Sequence, residues 1–393
     1  MLISSIDVHH VAVPLKRRIK HASHDRTTSD NLIVRVRLDD GRVGVGEGVP
    51  RSYVTGETIE TAFRALSGVD VARAIGRPSD MRSVVRSLER FTLPSIEDDP
   101  RGMDGNAARC ALELAILDAY GQAFGVSASE ALRMAEVPGL PLRAKPGVVW
   151  YSGAITAEDP RRELYSALKL RLYRFSQTKI KVGVDGQDDP RRLRNLRRVL
   201  GPWMNIRIDA NESWAPHELI ERVAPLLGSR PSALEQPVSH EDVGSLASLR
   251  PQLGVPVMLD ESLCGEPDGR RAIEAGLADL FNVRLSKCGG IFPSLRLVAM
   301  AHTAGLGVQL GCHPGETGVL SAAGRHVASN LRGLRYVEGS YDRHVLARNI
   351  TTKGVNFTIH GLAWPIKGPG LGVTVDEQGL DALTVRKVHL DYA

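Results

Sequence analysis

From about residue 140 onward, short apolar or alternating runs recur with a helical stretch between each, and this rhythm constrains the fold more than any other feature. The runs are Val148 to Tyr151, Lys179 to Val182, Ile206 to Asp209, Ala233 to Gln236, Pro256 to Asp260, Phe281 to Ser286, Val308 to Gly311 and Arg335 to Glu338. Strands alternating with helices at this spacing predict a β/α barrel, whose catalytic groups are expected at the carboxyl ends of the strands. At 393 residues the chain is long enough for such a barrel with attachments.

The part before the barrel has a different texture. Leu32 to Leu38 and Arg42 to Glu47 read as a hairpin turned by Asp39-Asp40-Gly41. Gly44, Gly46 and Gly48 lead into Pro50 instead of opening a helix, which argues against a dinucleotide loop. From Asn106 to Gln122 apolar residues recur at steps of three and four, the pattern of a buried helix face. The tail from Tyr341 to Ala393 is turn-rich at Lys367-Gly368-Pro369-Gly370 and is expected to return to the N-terminal region.

Composition excludes several classes. Lys+Arg 50 against Asp+Glu 45 gives +5, a mild excess suited to anionic small molecules but not the basic stripe of a nucleic-acid binder. No apolar run reaches membrane-spanning length, and MLISSIDVHHVAVPL is too polar for a signal peptide, so a cytoplasmic location is expected. Cys110, Cys264, Cys288 and Cys312 are read as free thiols, the last three as packing residues and not a thiolate metal site. The arginine-rich segment Arg191 to Arg198 is read as a solvated helix face.

Polar residues end strand after strand. Asp209, Glu235 and Asp260 are each separated by about one β/α unit, so three carboxylates are expected to converge. Singly, an acid more often caps a helix or pairs with an arginine; three in register are costly without a cation. Oxygen-only ligands favour a hard ion, Mg²⁺ first, with Mn²⁺ a possible substitute. Lys179 and Lys181 share one strand face, where each ammonium disfavours the other's charge and lowers a lysine toward general-base range.

Lys179-Ile180-Lys181, Asp209-Ala210-Asn211, Glu235-Gln236-Pro237 and Asp260-Glu261-Ser262 resemble the enolase superfamily in order and spacing, and most of all its muconate lactonizing enzyme subgroup. Gly44 to Pro50, Leu117-Asp118, Cys288-Gly289-Gly290 and Gly368-Pro369-Gly370-Leu371-Gly372 extend the resemblance over nearly the whole chain. It implies an α/β fold: a modified TIM (β/α)7β barrel over residues 141–340, an α+β capping domain from residues 1–140, and a segment 341–393 returning to the cap. It also implies proton abstraction α to a carboxylate, with Mg²⁺ stabilising an enediolate, a chemistry for which this superfamily is a standard illustration. By matching position, Lys181 is the base, Lys179 its tuning neighbour, and Asp209, Glu235 and Asp260 the metal ligands. Asn211, Glu261 and Lys287 would support them, and Glu338 resembles the acid of the lactonizing enzymes. Symmetric homo-oligomers are common among similar proteins.

The sixth strand departs from the subgroup. Arg284 stands where a second base lysine is expected, while Lys287 matches the basic residue before the glycine pair. A guanidinium stays charged and is a poor proton acceptor but a good partner for an enolate. This favours one-base chemistry, cycloisomerisation or syn-dehydration of the o-succinylbenzoate synthase type, over N-acyl amino acid racemisation. Ser340, where dipeptide epimerases carry an aspartate, weakens a dipeptide substrate too. His313 is read as a polar pocket wall, and Lys20, Arg51 and Tyr53 as contacts to a small carboxylate substrate. A Schiff-base aldolase using Lys181 and a non-catalytic binding protein are the readings from other classes.

Overall fold

The structure is a computed structural model and describes residues 1–20, 25–94, 105–156 and 159–392. Its N-terminal part is a mixed layer of sheet and helix. Strands β1 (Ile3–Lys20), β2 (Asp25–Leu38) and β3 (Val43–Gly48) run antiparallel, and the hairpin expected between Leu38 and Arg42 is present. The buried helix falls where the periodicity placed it, as α1 (Asn106–Phe124), buried on every side from Ala107 to Gly121.

The glycines of β3 have a packing function. A Cβ on Gly44, Gly46 or Gly48 would stand 2.2 Å, 1.9 Å and 2.0 Å from backbone atoms of Ala119, Ala111 and Ala107 respectively. Every second residue of the strand is therefore glycine because α1 lies directly on it. Gly46→Ala is expected to destabilise the protein by about 3 kcal/mol, since backbone atoms of α1 cannot yield as a side chain would. Denaturant unfolding checks this, and an unchanged midpoint would contradict the packing argument.

The barrel is an eight-stranded sheet. Its strands are β4 (Gly153–Ile155), β5 (Gln177–Lys181), β6 (Asn205–Asp209), β7 (Ala233–Glu235), β8 (Val257–Leu259), β9 (Leu280–Val283), β10 (Gly307–Leu310) and β11 (Leu334–Val337), with every recorded neighbour pairing parallel. The Ser152 N–H donates to the Val337 carbonyl at 2.8 Å, joining the last strand to the first. Helical segments fill the seven connections between these strands, giving the (β/α)7β form. One expected strand is displaced: Val149–Trp150 pairs with Leu362–Ala363 outside the barrel, and β4 takes its place.

The C-terminal strand β12 (Thr384–Asp391) returns to the first layer and pairs antiparallel with β1, completing a four-stranded sheet. Two carboxylates then fix this cap over the barrel. Glu47, fully buried on β3, accepts from Thr317 N–H (2.8 Å), Thr317 Oγ1 (2.7 Å) and Leu320 N–H (2.9 Å) at the start of α2 (Gly318–Asn330). Glu113 on α1 likewise accepts from the Ile291 and Phe292 N–H groups, at the start of helix Ile291–Thr303. Both use the unsatisfied N–H groups and positive dipole end of a helix following a barrel strand. Asp118 joins the two remote motifs by accepting from Val45 N–H (3.0 Å) and Leu371 N–H (2.8 Å). Gly370, at φ +61°, leaves no room for a Cβ beside Asp118.

Candidate active site

Parallel register aligns the strand ends. Lys181 lies opposite Asp209, and Asp209 opposite Glu235, so one row of the barrel rim carries a lysine and two carboxylates. Asp260 follows the next strand, β8. All three acids are buried, as are Asn211, Glu261, Lys287 and His313. Asn211 and Gln236, just past β6 and β7, hold positive φ values of 43° and 34°, and Ser340 beyond β11 holds 54°. Backbone strain of this kind is sustained by surrounding structure and clusters at functional sites.

The protein's own cations interleave with the acids. Lys179 Nζ lies 3.2 Å from Asp209, 3.4 Å from Glu235 and 3.0 Å from Glu338. Burial opposes its charge, but these carboxylates outweigh burial and raise its pKa well above the ordinary value. Lys181 behaves in the opposite way: burial chiefly, with repulsion from Lys179, overrides the pull of Asp209 and lowers its pKa. The two lysines are thus driven in opposite directions, with Lys179 held as the cation.

Arg284 donates to Asp260 and lies 3.7 Å from Glu235, while Lys287 Nζ donates to Asp260 Oδ1 at 2.8 Å and to the Asp260 and Asn282 carbonyls. Lys287 is thus enclosed behind Asp260, and Arg284 is the strand-six cation on the barrel side, in agreement with the alternation of that strand. Asn282 Nδ2 donates to Glu235 Oε1 at 2.8 Å. Asn211 Nδ2 donates to Glu261 Oε1 at 3.2 Å.

Glu338 is held by Lys179 and by Arg207, whose Nη2 donates to Oε1 at 2.7 Å. Burial alone would raise the Glu338 carboxyl, yet these two cations hold it at about 2. Glu338 is thus held as an anion beside Lys179. Arg207 was missed at the sequence level, although its parity with Asp209 on β6 places it on the same strand face.

Whether the acids suit a metal ion can be judged from their chemistry. Among the described residues no group of three or more His, Cys, Asp or Glu side chains is spaced to hold a metal ion, because Arg284 and Lys179 lie among the carboxylates. The donor set is nonetheless all oxygen, and Glu235 Oε2 is buried without a hydrogen-bond partner. An unsatisfied buried carboxylate oxygen beside two further acids fits a hard divalent cation.

The cap contributes Arg51, buried and donating to the Asp30 and Pro50 carbonyls at 2.8 Å and to Ser29 Oγ at 2.6 Å. Burial, then Arg26, lowers its pKa to about 10. Arg26 lies over the Tyr53 ring at 5.7 Å. The Lys20 side chain falls outside the described residues. His313, past β10, has its pKa well below the ordinary value through burial and then Arg284 and Arg51, so it is a neutral imidazole. The four cysteines are buried and free, and burial raises the thiol pKa of Cys110, Cys288 and Cys312. No described helix is long and apolar enough to cross a membrane.

Comparison with known proteins bears on this geometry. Residues 162–379, more than half of the chain, match the family described as enolase C-terminal domain-like. The chain is similar to the L-Ala-D/L-Glu epimerase of Clostridium acetobutylicum, 29% identical with 95% of this chain and 99% of the relative covered. It is 31% identical to the L-Lys-D/L-Arg epimerase of Methylococcus capsulatus, with the same coverage of both chains. Among solved structures, the dipeptide epimerase of Cytophaga hutchinsonii, complexed with Mg and D-Ala-L-Val, aligns at TM-score 0.83 and 25% identity over 100% of both chains. The muconate lactonizing enzyme of Pseudomonas fluorescens, complexed with muconolactone, aligns at TM-score 0.82 and 25% identity, covering 98% of this chain and 99% of that one. The chain belongs to the enolase superfamily and is one of its enzymes.

Proposed function

We propose that the protein abstracts the proton α to the carboxylate of a small acid, with Lys181 as the base. The observation that carries this reading is the register that sets Lys181 beside Asp209 and Glu235, while Lys179 on the same face is locked as a cation by three carboxylates. Lys181 is thereby biased toward the neutral amine, the form that accepts a proton. Asp209, Glu235 and Asp260 would hold Mg²⁺ or Mn²⁺, and the bound ion would supply positive charge where the substrate carboxylate gains negative charge. Arg284, always charged, adds a fixed positive group on the far side of the pocket and takes no proton. Glu338 and Arg207 keep Lys179 in place. Arg51 and Tyr53 line the cap side, where they suit an acidic or polar end of the substrate.

Two outcomes share this first step. Arg284 in place of a second lysine favours a one-base reaction, cycloisomerisation of a muconate-like acid or a syn-dehydration. The similarity to dipeptide epimerases favours inversion at the α-carbon, which requires a proton carrier on each face.

The test is a panel of muconates, N-acyl amino acids and dipeptides incubated with the protein and MgCl₂ in D₂O. Deuterium uptake at the carbon next to a carboxylate in one or more of them is expected. No uptake in any acid, or metal-independent trapping of a keto acid on Lys181 by borohydride, would overturn the reading.

A further inference from the structure

The end of β5, which carries Lys181, is pinned by residues that the chemistry above does not use. The Val182 N–H donates to the Asp209 carbonyl at 2.9 Å, so the backbone at that residue faces β6, and at Lys181 it faces β4. β4 ends at Ile155, opposite Ile180, so the Lys181 carbonyl lies past the end of the ladder on that side. Its partner is a side chain: Arg192 Nη2 donates to it at 2.7 Å. Gly183, two residues on, is held from the same helix, its N–H donating to Asp189 Oδ2 at 2.7 Å.

Arg192 and Asp189 belong to the first turn of helix Asp189–Leu200, which follows β5. The arginine-rich segment is solvated at Arg191, Arg194 and Arg198, as its composition predicts, but Arg192 turns inward and its side chain is 10% exposed. Its Nη1 donates to Asp189 Oδ1 at 2.6 Å, and its Nε to Glu163 Oε1 and Oε2 at 2.8 and 2.7 Å, so every guanidinium nitrogen is engaged. Glu163 comes from helix Pro160–Leu172, between β4 and β5, and is buried. Three charged groups taken out of water are a costly way to fasten a helix to a sheet. Leu193, Leu196 and Leu200 already bury this helix. What the ionic group supplies, and a leucine could not, is a donor of fixed direction at the carbonyl of Lys181.

We propose that Arg192 is a positioning residue for proton transfer at Lys181. By holding the Lys181 carbonyl it fixes the strand end and with it the amine, while Glu163 and Asp189 fix Arg192. This rests on the assignment of Lys181 as the base. The three acids of the rim have other anchors: the Asn211 N–H donates to Asp209 Oδ1 at 3.1 Å, Asn282 donates to Glu235, and Lys287 donates to Asp260. Loss of the brace therefore misplaces the base and spares the acids. A displacement of about 1 Å in a reacting group costs about 10²-fold in rate.

The experiment compares wild-type protein with Arg192→Lys and with the double variant Glu163→Gln/Arg192→Met. In the double variant Glu163 is not left as a lone buried charge, and Asp189 keeps the Gly183 N–H and the helix N-terminus. Proton NMR in D₂O with MgCl₂ follows exchange on whichever acid of the panel above wild-type protein exchanges fastest, and calorimetric titration follows Mn²⁺ binding. The double variant is expected to lose about 30- to 100-fold in exchange at saturating acid, with KM and Mn²⁺ affinity changed by less than about threefold. Arg192→Lys keeps a cation between the carboxylates but lacks the fork, and should recover part of the loss, to about tenfold below wild type. Exchange in the double variant within about threefold of wild type would overturn the inference. A loss of Mn²⁺ affinity as large as the loss of exchange would overturn it too, since that marks a general loosening of the barrel. If the double variant does not fold, Arg192→Lys decides: slower exchange with unchanged Mn²⁺ affinity supports the brace, and exchange at the wild-type rate overturns it. Wild-type protein that exchanges no acid would instead remove the assignment of Lys181.

Discussion

Lys181→Met is expected to lower turnover and solvent deuterium uptake by about 10³-fold or more, the upper range for removing a general base. Methionine preserves the length and apolar stem of the side chain in a largely buried place, so unfolding free energy should change by no more than about 1 kcal/mol. Lys179→Met should differ in kind. Its ammonium is paired with Asp209, Glu235 and Glu338, and its loss leaves buried carboxylates without their common partner. That variant should lose stability as well as activity. Rates from proton NMR in D₂O, with denaturant melts alongside, separate the two; a Lys181→Met enzyme exchanging at the wild-type rate would exclude Lys181 as the base.

Glu235→Gln is expected to weaken Mn²⁺ binding by about 10²-fold or more and to remove activity at ordinary metal concentrations. Without metal, the same change should be neutral or mildly stabilising. Burial, reinforced by Asp209 and Glu338, raises the Glu235 carboxyl against the opposing pull of Lys179, so a neutral amide relieves a desolvation penalty. Calorimetric titration with Mn²⁺ and melts in chelator measure the two effects independently. Unchanged Mn²⁺ affinity would show that the acids serve only as partners for Lys179 and Arg284.

The barrel was legible because its strand ends repeat a polar residue at nearly constant spacing, and register then brings Lys181, Asp209 and Glu235 together. Its first strand was not. Val149 and Trp150 have strand-forming side chains, but their partner is Leu362–Ala363, far along the chain. The true first strand opens on Gly153, where any Cβ would strike Leu170 at 2.4 Å, so tertiary packing and not propensity decides it.

The site divides in the same way. Alternation sets Arg284 and Lys287 on opposite faces of their strand, and it would have found Arg207 had β6 been followed back two residues. Glu338 shows the limit of positional matching: its place at the eighth strand was read correctly, but its ionisation is set by Lys179 and Arg207, from strands remote in sequence.

The pairing of β12 with β1 also has a consequence for biosynthesis. Ser5 through Val11 pair with residues 384–391, so the outer edge of the first sheet stays bare until the ribosome has passed the whole barrel and made the strand that covers it. The nascent protein must keep an unpaired strand edge soluble while a whole barrel forms behind it, and such distant closure is intrinsically slow. Chaperone dependence in this protein should therefore concentrate on β1.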